Sequence, residues 1–431
     1  MPALTIYSKQ NSARLSYVLD WLFRDRLDID YVIVDRIPVT NDIFISYGAV
    51  CDNGISIPDA DLLWSTNIEQ QHIESADWNG LPTLFAGDQQ YSVPFDIFSA
   101  IFFLLSRYEE YYSYTPDKHN RYPATESILF KKELLNRPIV DEWVSAFSKL
   151  LVSNSIAVKE RTFQFLPTYD IDIAWSYKHK GAARTFGAFA KEVLKGNMNN
   201  LWDRLKTLFG SKKDPYDSFE WLDRLHEQYK LAPIYFILCA QATSAFDKNI
   251  APTNTAMQNL LKHLANRYSL GIHPSYYIDS NKNLLSEEKG LLENFINKPT
   301  SISRQHYIKN KMPDTYRQLL ANNITEDYSM GYGTHLGFRA GTGSAFLWFD
   351  LEKGEQQNLR VHPFCFMDTT AYYEEKLTTQ ESFTRLQKMK DKLEETNSTL
   401  VTVFHNFSLG TDKMWKGWSE AYERFISECK L

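Results

Sequence analysis

Residues 165–173 read FLPTYDIDI, a short apolar run that ends in two carboxylates, Asp170 and Asp172. The run from Phe163 to Tyr169 predicts a buried strand whose C-terminal end carries both acids, at the edge where α/β folds assemble their chemical sites. Because side chains alternate along a strand, the two acids should point to the same side. Two such charges need a cation, a shared proton or a strong donor between them. The alternative is a solvated strand end followed by a turn.

The composition is typical of a globular protein with a large core. The chain has 431 residues, which suggests two domains, and 43% of them are hydrophobic and 23% charged. Aromatic residues reach 14%, and their flat faces suit carbohydrate sites, although large cores use them more often. The net charge of −6 gives no reason to expect a nucleic acid partner.

Cysteine spacing and hydropathy predict a cytoplasmic protein without a membrane span. The four cysteines lie far apart in sequence (Cys51, Cys239, Cys365 and Cys429), so neither a zinc-thiolate site nor a disulfide framework is expected. The N-terminus lacks the basic start and apolar centre of a signal peptide. The longest apolar run, residues 98–105, is far too short to cross a bilayer.

Residues 1–155 are predicted to form a smaller mixed α/β domain. Short β-branched runs at 31–34 and 43–46 predict strands, and apolar spacing predicts a helix over residues 12–23. A second helix is predicted from 97 to about 112, with Asp96 as its N-cap. No chemical constellation is visible in this half, so we expect an accessory or docking domain.

Residues 156–431 show short apolar runs that alternate with helical segments, which predicts βαβ units and a parallel barrel or sheet. The predicted strands are 163–169, 234–240, 270–273, 301–306, 324–327 and 400–405. The predicted helices are 218–229, 255–267, 286–296, 315–322 and 379–395. Several polar residues fall at strand C-terminal ends, where barrel sites are assembled. They are Asp170, Asp172, His273, Arg304, His306, Asp327 and His405.

A basic segment, residues 178–213, interrupts this alternation. It holds nine Lys or Arg and two acidic residues, a local net charge of +7, with apolar residues interleaved. One interpretation is an ordinary helical insertion with a solvated basic face. The other is a patch that makes peripheral contact with anionic lipid or steers a phosphorylated substrate to the site.

Histidines at strand ends beside carboxylates predict a site for a divalent metal. Neutral imidazole and carboxylate together suit zinc or another transition metal. Asp172, His273 and His306 could supply three ligands and leave a position open for water. Each residue alone is more often structural, so the prediction depends on the three lying together.

Five motifs resemble, in order, those of the polysaccharide deacetylases, the NodB-homology proteins of carbohydrate esterase family 4. They are TYDID (168–172), GIHPSYY (271–277), SRQHY (303–307), EDYSMGY (326–332) and VFHNF (403–407). The resemblance covers about residues 160–431. It implies a distorted (β/α)7-type barrel as the catalytic domain, preceded by the accessory domain of residues 1–155.

The resemblance also implies roles for four residues in acid–base chemistry. Asp170 matches the catalytic base, and Arg304 matches the arginine that orients this base. His405 resembles the general acid that protonates the departing amine, and Asp327 resembles the acid that tunes this histidine. One group would thus activate water while another protonates the leaving nitrogen.

The metal ligands depart from the family pattern. Asp172 resembles the metal-binding aspartate, although Ile171 separates it from Asp170 where the family has adjacent acids. His273 matches the first metal histidine, but Tyr277 stands where the family has the second. Because His306 stands where the arginine motif usually has a proline, we expect His306 to fill the vacancy. Tyr277, Tyr307, Arg339 and Asp368 are predicted to contact substrate, with a salt-bridged turn as the alternative for Arg339.

These features together predict a metal-dependent hydrolase that removes the N-acetyl group of an amino sugar. The substrate would be a glycan or glycan precursor handled inside the cell, free or linked to lipid or phosphate. Two alternatives stay open. One is a non-catalytic glycan-binding protein on the same fold, since fold does not determine function. The other is a hydrolase of another non-peptide C–N bond, such as a cyclic amide.

Overall fold

Four short parallel strands form the first sheet of the chain. The computed structural model describes residues 3–40, 42–159, 161–194, 196, 198–281 and 283–429. The strands β1 (Leu4–Ser8), β2 (Tyr31–Val34), β3 (Phe44–Tyr47) and β4 (Gly54–Ile57) stand in the order β2-β1-β3-β4. A small antiparallel hairpin, β5 (Asp77–Trp78) and β6 (Leu81–Pro82), follows.

Among the described residues, the N-terminal part of the chain contains four α-helices. They are α1 (Ala13–Leu19), which continues as a π-helix over Asp20–Arg26, α2 (Ile97–Leu105), α3 (Ile128–Lys131) and α4 (Ile139–Ser153). The Asp96 cap is confirmed, because its carboxylate accepts the N–H of Ser99. The predicted length of α2 is wrong. The helix ends at Leu105 because Arg107 adopts a left-handed φ of 54° and turns its guanidinium back onto Glu109 and Glu110.

The second sheet has nine strands within the residues that the structure describes. They are β7 (Gln164–Ile171), β8 (Ile234–Leu238), β9 (Ser269–His273), β10 (Ile302–Ser303), β11 (Glu326–Met330), β12 (Phe346–Asp350), β13 (Glu355–Pro363), β14 (Phe366–Met367) and β15 (Thr399–His405). Their order is β12-β13-β11-β10-β9-β8-β7-β15-β14, and all neighbours are parallel except β12 and β13. Alternating strands and helices thus give the parallel arrangement that the sequence predicts.

Strands β13 and β14 bring the two ends of this sheet toward each other. They are separated by Phe364 and Cys365, yet β13 pairs with β11 and β14 pairs with β15 at the other end of the order. One bent segment therefore carries the sheet round from β11 to β15. The predicted α/β class with a distorted barrel is confirmed, whereas the division of the chain at residue 155 stays a prediction.

In the described part of the second half there are eight α-helices. They are α5 (Ala182–Leu194), α6 (Met198–Leu208), α7 (Phe219–Tyr229), α8 (Thr255–Arg267), α9 (Leu284–Ile296), α10 (Asp314–Ala321), α11 (Thr379–Glu395) and α12 (Trp418–Glu428). The predicted bounds of α8 and α11 agree with the structure. Local caps explain this agreement, because Asn254 caps α8 and Thr378 with Glu381 forms a capping box at α11.

The interior of the curled sheet is filled by its own side chains. A small apolar cluster gathers inward-facing residues of several strands, among them Leu166, Phe236, Tyr328 and Val403. Alternation along β7 places Asp170 on the same side as Leu166, while Tyr169 faces the surrounding helices. The apolar filling forms the floor of the barrel, and the carboxylate stands above it at the C-terminal end of the strand.

Buried ion pairs join the N-terminal part of the chain to the barrel. Arg339 donates from Nε and Nη2 to the two carboxylate oxygens of Glu110, at 2.8 and 2.5 Å. Arg107 donates to the same carboxylate, and all three side chains are about 1% exposed. The prediction that Arg339 contacts substrate is therefore corrected to the alternative, a salt-bridged turn.

The glycine-rich segment that contains Arg339 (residues 337–343) owes its composition to this interface. Gly337 has a φ of 132°, and a Cβ there would lie 2.4 Å from the carbonyl oxygen of Leu135. Gly341 has a φ of 66° and lies against α2 and α4. Glycine therefore allows the two parts of the chain to approach each other closely at this segment.

Within the described part of the chain, no helix combines the length and the apolar character that crossing a bilayer requires.

Substitution of Arg339 by methionine should destabilise the protein by about 3–5 kcal/mol, because it leaves the Glu110 carboxylate buried with half of its compensation removed. Urea denaturation followed by circular dichroism measures the change. The matched control is Lys392→Met, which removes an exposed pair with Glu395 and should cost less than about 0.5 kcal/mol. An equal effect of the two substitutions would contradict the interface described above.

Candidate metal and acid–base site

The C-terminal ends of the parallel strands surround a cavity of about 330 Å³. Asp170, His273 and His405 lie at the ends of β7, β9 and β15, and His306 follows the short strand β10. Asp172 lies one residue beyond β7, and all five side chains line the cavity. The site thus occupies the sheet edge that the sequence predicts, and its volume is at the lower end of the range for small-molecule pockets.

Arg304 holds Asp170 from inside the barrel. Its Nη1 donates to Oδ1 of Asp170 at 2.8 Å, and its Nε donates to the carbonyl oxygen of Tyr328 at 2.9 Å. The guanidinium lies 4.3 Å from the ring centroid of Phe236 and is fully buried. Gly271 makes room for this ring, since a Cβ there would lie 2.7 Å from Phe236. Asp170 is therefore an oriented carboxylate with one oxygen, Oδ2, turned away from the arginine.

Asp172 faces the Nε2 atoms of three histidines. Nε2 of His273 lies 3.1 Å from Oδ1 of Asp172. Nε2 of His306 and of His405 lie 3.5 and 3.4 Å from Oδ2. The sequence predicts the first two of these histidines beside Asp172, and the structure adds His405 to the same carboxylate.

Each of the three imidazoles is anchored at its other nitrogen. Nδ1 of His273 lies 2.6 Å from the carbonyl oxygen of Arg304, which can only accept a hydrogen bond. Nδ1 of His306 lies 3.1 Å from Oδ1 of Asp247, and Nδ1 of His405 lies 2.7 Å from Oδ1 of Asp368. When the rings are neutral, the proton stays on Nδ1 and each Nε2 presents a lone pair to Asp172.

This arrangement of acceptors fits a cation. Oδ1 of Asp172 and Nε2 of His273 are buried without a hydrogen-bond partner among the described residues. Asp172, His273 and His306 can each offer one ligand atom within 4.8 Å of the others. Carboxylate and imidazole ligands, with acceptors behind each ring, are typical of zinc and neighbouring transition metals.

The charges of the site are strongly coupled. Burial alone would raise the pKa of Asp172, but His306 and His405 hold it well below its usual range. Burial would lower the pKa of His306, yet Asp172 and Asp247 raise it to about 9. Asp368 and Asp172 likewise raise the pKa of His405 well above its usual value. Protons on these rings and a divalent cation are thus alternative ways to neutralise Asp172.

The partner of His405 is Asp368, which corrects the role expected for Asp327. Asp368 accepts the backbone N–H of His405 at 2.7 Å in addition to its ring nitrogen, and it also accepts the hydroxyl of Ser408. Asp327 instead accepts the hydroxyls of Ser303 and Ser329, at 2.8 and 2.9 Å. The reason is the strand order: β14 pairs with β15, whereas four strands separate β11 from β15.

The four residues expected to contact substrate lie in different surroundings in the structure. Tyr307 lines the cavity. Tyr277 is 47% exposed and packs on Phe246 without lining the cavity. Asp368 is fully buried behind His405, so it acts on the cavity only through that ring. With Arg339 at the interface, one of the four predicted contacts remains directly available to a ligand.

Several residues of the site carry no sequence signal that could have identified them. Asp247 and Phe246 lie in the loop after β8, and His119 and Arg121 come from the N-terminal part of the chain. Nothing about DKHNRY at residues 117–122 distinguishes it from a solvated polar loop. The contacts depend on tertiary packing across a long sequence separation, which residue spacing does not record.

Residues 4–155 match a family of unknown function, DUF7033. No curated protein matches the chain. This N-terminal match covers the part of the chain that contributes His119 and Arg121 to the cavity, and the family description names no activity.

Several solved structures match about three fifths of the chain at low identity, with 62% covered in each case below. Puue allantoinase is 10% identical with a TM-score of 0.39, and the match covers 62% of this chain and 84% of its own. The polysaccharide deacetylase Bc1974 from Bacillus cereus is 11% identical with a TM-score of 0.31, covering 62% of this chain and 88% of its own. A mutant of BA3943, a CE4 family pseudoenzyme with restored enzymatic activity, is 8% identical with a TM-score of 0.32, covering 62% of each chain. At these low scores, the function proposed below rests on the geometry of the site itself.

Replacement of His306 by alanine should lower zinc affinity by more than the 10–100-fold that is typical for loss of an outer-shell partner, because it removes a ligand. Asp247→Asn, which alters the group behind His306, should fall within about 10–100-fold. Competition with a chromophoric chelator measures both affinities, and Tyr277→Phe is the matched control. Wild-type zinc affinity in the His306 variant would exclude this residue as a ligand.

Proposed function

We propose that the protein is a metal-dependent hydrolase that removes the N-acetyl group of an amino sugar in a glycan or glycan precursor. One observation carries the proposal. A carboxylate oriented by a buried arginine, Asp170, stands beside a cluster of Asp172 and three histidines in a single cavity. This combination provides a proton acceptor and a separate set of cation ligands, the two parts that metal-assisted amide hydrolysis uses.

Asp172, His273 and His306 would hold the cation, for which zinc is the best match to these ligand types. When bound, a divalent cation polarises the acetamide carbonyl and lowers the pKa of water. Tyr277 stands where the polysaccharide deacetylases have their second metal histidine. His306, which follows another strand end, would replace that ligand.

Asp170 is placed to take the proton from the attacking water. Arg304 occupies its Oδ1, so Oδ2 is the oxygen directed to the cavity, and it lies 3.8 Å from Nε2 of His273. The buried guanidinium also keeps the carboxylate in one orientation, which a general base needs for efficient proton transfer.

His405 is placed to donate a proton to the departing nitrogen. It lines the cavity, and Asp368 both fixes the ring and stabilises its protonated form. Collapse of the tetrahedral intermediate would move this proton to the amine and release acetate. Asp170 and His405 thus divide the acceptor and donor roles between two groups with different neighbours.

The walls of the cavity suit a sugar ring. Phe246, Tyr307, Tyr373 and Phe407 present aromatic surfaces to the space above the acid–base groups. Flat aromatic faces pack on the apolar faces of sugars, and the polar groups at the strand ends would act on the acetamide.

Replacement of Asp170 by asparagine should lower acetate release from N-acetylated amino sugars by at least about 10²–10⁴-fold, because the proton acceptor is lost. Zinc binding should persist. Acetate is measured enzymatically on N-acetylglucosamine and its oligomers, and Asp314→Asn, an exposed carboxylate, is the matched control. No acetate from any such substrate with zinc bound would favour the glycan-binding alternative, and turnover of a cyclic amide instead would favour the other hydrolase.

Replacement of Asp368 by asparagine should lower kcat by about 10²-fold, with KM and zinc affinity little changed, because Asp368 orients and charges His405. Steady-state kinetics combined with zinc titration separates these effects. The comparison variant is Asp327→Asn, whose carboxylate does not contact His405. A larger loss of kcat in the Asp327 variant would contradict the assignment of Asp368.

A further inference from the structure

Helices α5 and α6 form a hairpin with an apolar face open to solvent. Apolar residues recur along one side of each helix, at 186, 189 and 193 in α5 and at 198, 202, 205 and 209 in and after α6. Phe186 is 73% exposed, Trp202 57% and Phe209 84%. Several large apolar side chains exposed on one hairpin indicate an interaction site in a globular protein.

A largely buried ion pair links the two helices of the hairpin, while Phe186, Trp202 and Phe209 stay exposed. Arg204 donates from Nε and Nη2 to the carboxylate of Glu192 at 3.1 and 2.8 Å, linking the two helices. Its guanidinium also lies over the rings of Tyr177 and Phe189. The two helices pack chiefly on each other, so the apolar face is not part of the protein core.

The charge of this segment indicates what covers the face. Residues 178–213 carry a net charge of +7 in a chain whose total is −6. Among the described residues, Lys178, Lys180 and Lys206 have no carboxylate within ion-pair distance. Lys195 and the side chain of Lys191 lie outside the described residues. Exposed apolar side chains on a segment with an excess of basic residues are the pattern of helices that lie in an anionic lipid interface.

The base of the hairpin lies at the edge of the cavity. The chain enters it directly after β7 and Asp172, and Asp214 accepts the N–H groups of residues 176–178 to tie the base together. Arg184 donates to the carbonyl oxygen of Lys248, a residue that lines the cavity. A surface that receives the hairpin would therefore also lie close to the cavity.

We propose that the α5–α6 hairpin docks the protein on an anionic lipid surface. The cavity would then meet an acetylated amino sugar carried on a lipid, a substrate class that rests on the function proposed above. Docking itself depends only on the hairpin.

Co-sedimentation of the full chain with vesicles tests the docking. We expect binding to phosphatidylglycerol vesicles that weakens with added salt, and little binding to phosphatidylcholine vesicles. The triple variant Phe186→Ser, Trp202→Ser, Phe209→Ser should lose at least tenfold in binding. The matched control replaces three exposed valines elsewhere, Val39, Val50 and Val152, by serine, and it should bind as the wild type does.

Other outcomes would overturn the docking proposal. Equal binding to both vesicle types, or no binding, would exclude an anionic lipid surface. A dimer that forms without lipid and is lost in the triple variant would show that a second copy covers the face. An alkyl N-acetylglucosaminide in anionic vesicles should be hydrolysed faster by the wild type than by the triple variant, with equal rates on soluble substrate. If neither protein releases acetate, the proposed function fails while the vesicle result stands.

The turn that follows His306 has a strained backbone, a feature that is independent of the hairpin. Tyr307 and Ile308 have φ values of 59° and 54°, two successive non-glycine residues in the left-handed region. Such conformations cost about 1–3 kcal/mol each and persist when neighbours hold them. Arg121 supplies one such hold, because its Nη1 donates to the carbonyl oxygen of Tyr307 at 2.5 Å while Asp117 holds its Nε at 2.8 Å.

We infer that Arg121 is a positioning residue for His306. The N-terminal part of the chain would thereby fix a ligand of the proposed metal site, and Gly333 supports the contact, since a Cβ there would lie 2.1 Å from Nη1 of Arg121. This inference depends on the metal site proposed above, but metal binding alone can test it, without any measurement of catalysis.

Zinc and cobalt titrations test the role of Arg121. Arg121→Met and Gly333→Ala should each lower zinc affinity by about 10–100-fold, as outer-shell changes do, and should alter the visible spectrum of bound Co²⁺. Arg137→Met, which removes a partly buried pair with Glu142, should change stability without altering either readout. Wild-type zinc affinity and Co²⁺ spectrum in both variants would overturn the inference.

Discussion

One carboxylate organises the site. Asp172 is surrounded by three Nε2 atoms at 3.1–3.5 Å, and each ring is fixed from behind by an acceptor on a different segment. The acceptors are the carbonyl oxygen of Arg304 and the carboxylates of Asp247 and Asp368. The cluster therefore needs a compensating positive charge. Protons on the histidine rings or a bound cation can supply it.

Arg304 connects this cluster to the acid–base group. Its side chain holds Asp170, while its backbone carbonyl sets the tautomer of His273. A buried arginine is tolerated in the barrel because its charge meets Asp170, a carbonyl oxygen and an aromatic face. The same residue thus orients both a proton acceptor and a proposed metal ligand. The two groups therefore lie next to each other in one cavity.

The sequence could predict the parts of the site that strands place directly. Asp170, Asp172 and His273 follow apolar runs at strand ends, where the parallel sheet brings them together. The pairing of Asp368 with His405 was not predictable, because β14 has two residues and its place beside β15 depends on how the sheet curls. Strand β13, with the polar run EQQNLR, also lacks the apolar pattern of the other strands.

The contact of Arg121 with the Tyr307 turn limits how the two parts of this chain can change in evolution. His119 and Arg121 line one side of the cavity, and residues at the ends of the barrel strands line another. If a different N-terminal part replaced this one, it would need a hydrogen-bond donor equivalent to Arg121. It would also have to fit closely against Gly333 and Gly337. The two halves are therefore expected to be inherited together, and residues 121, 307 and 333 should covary as a set.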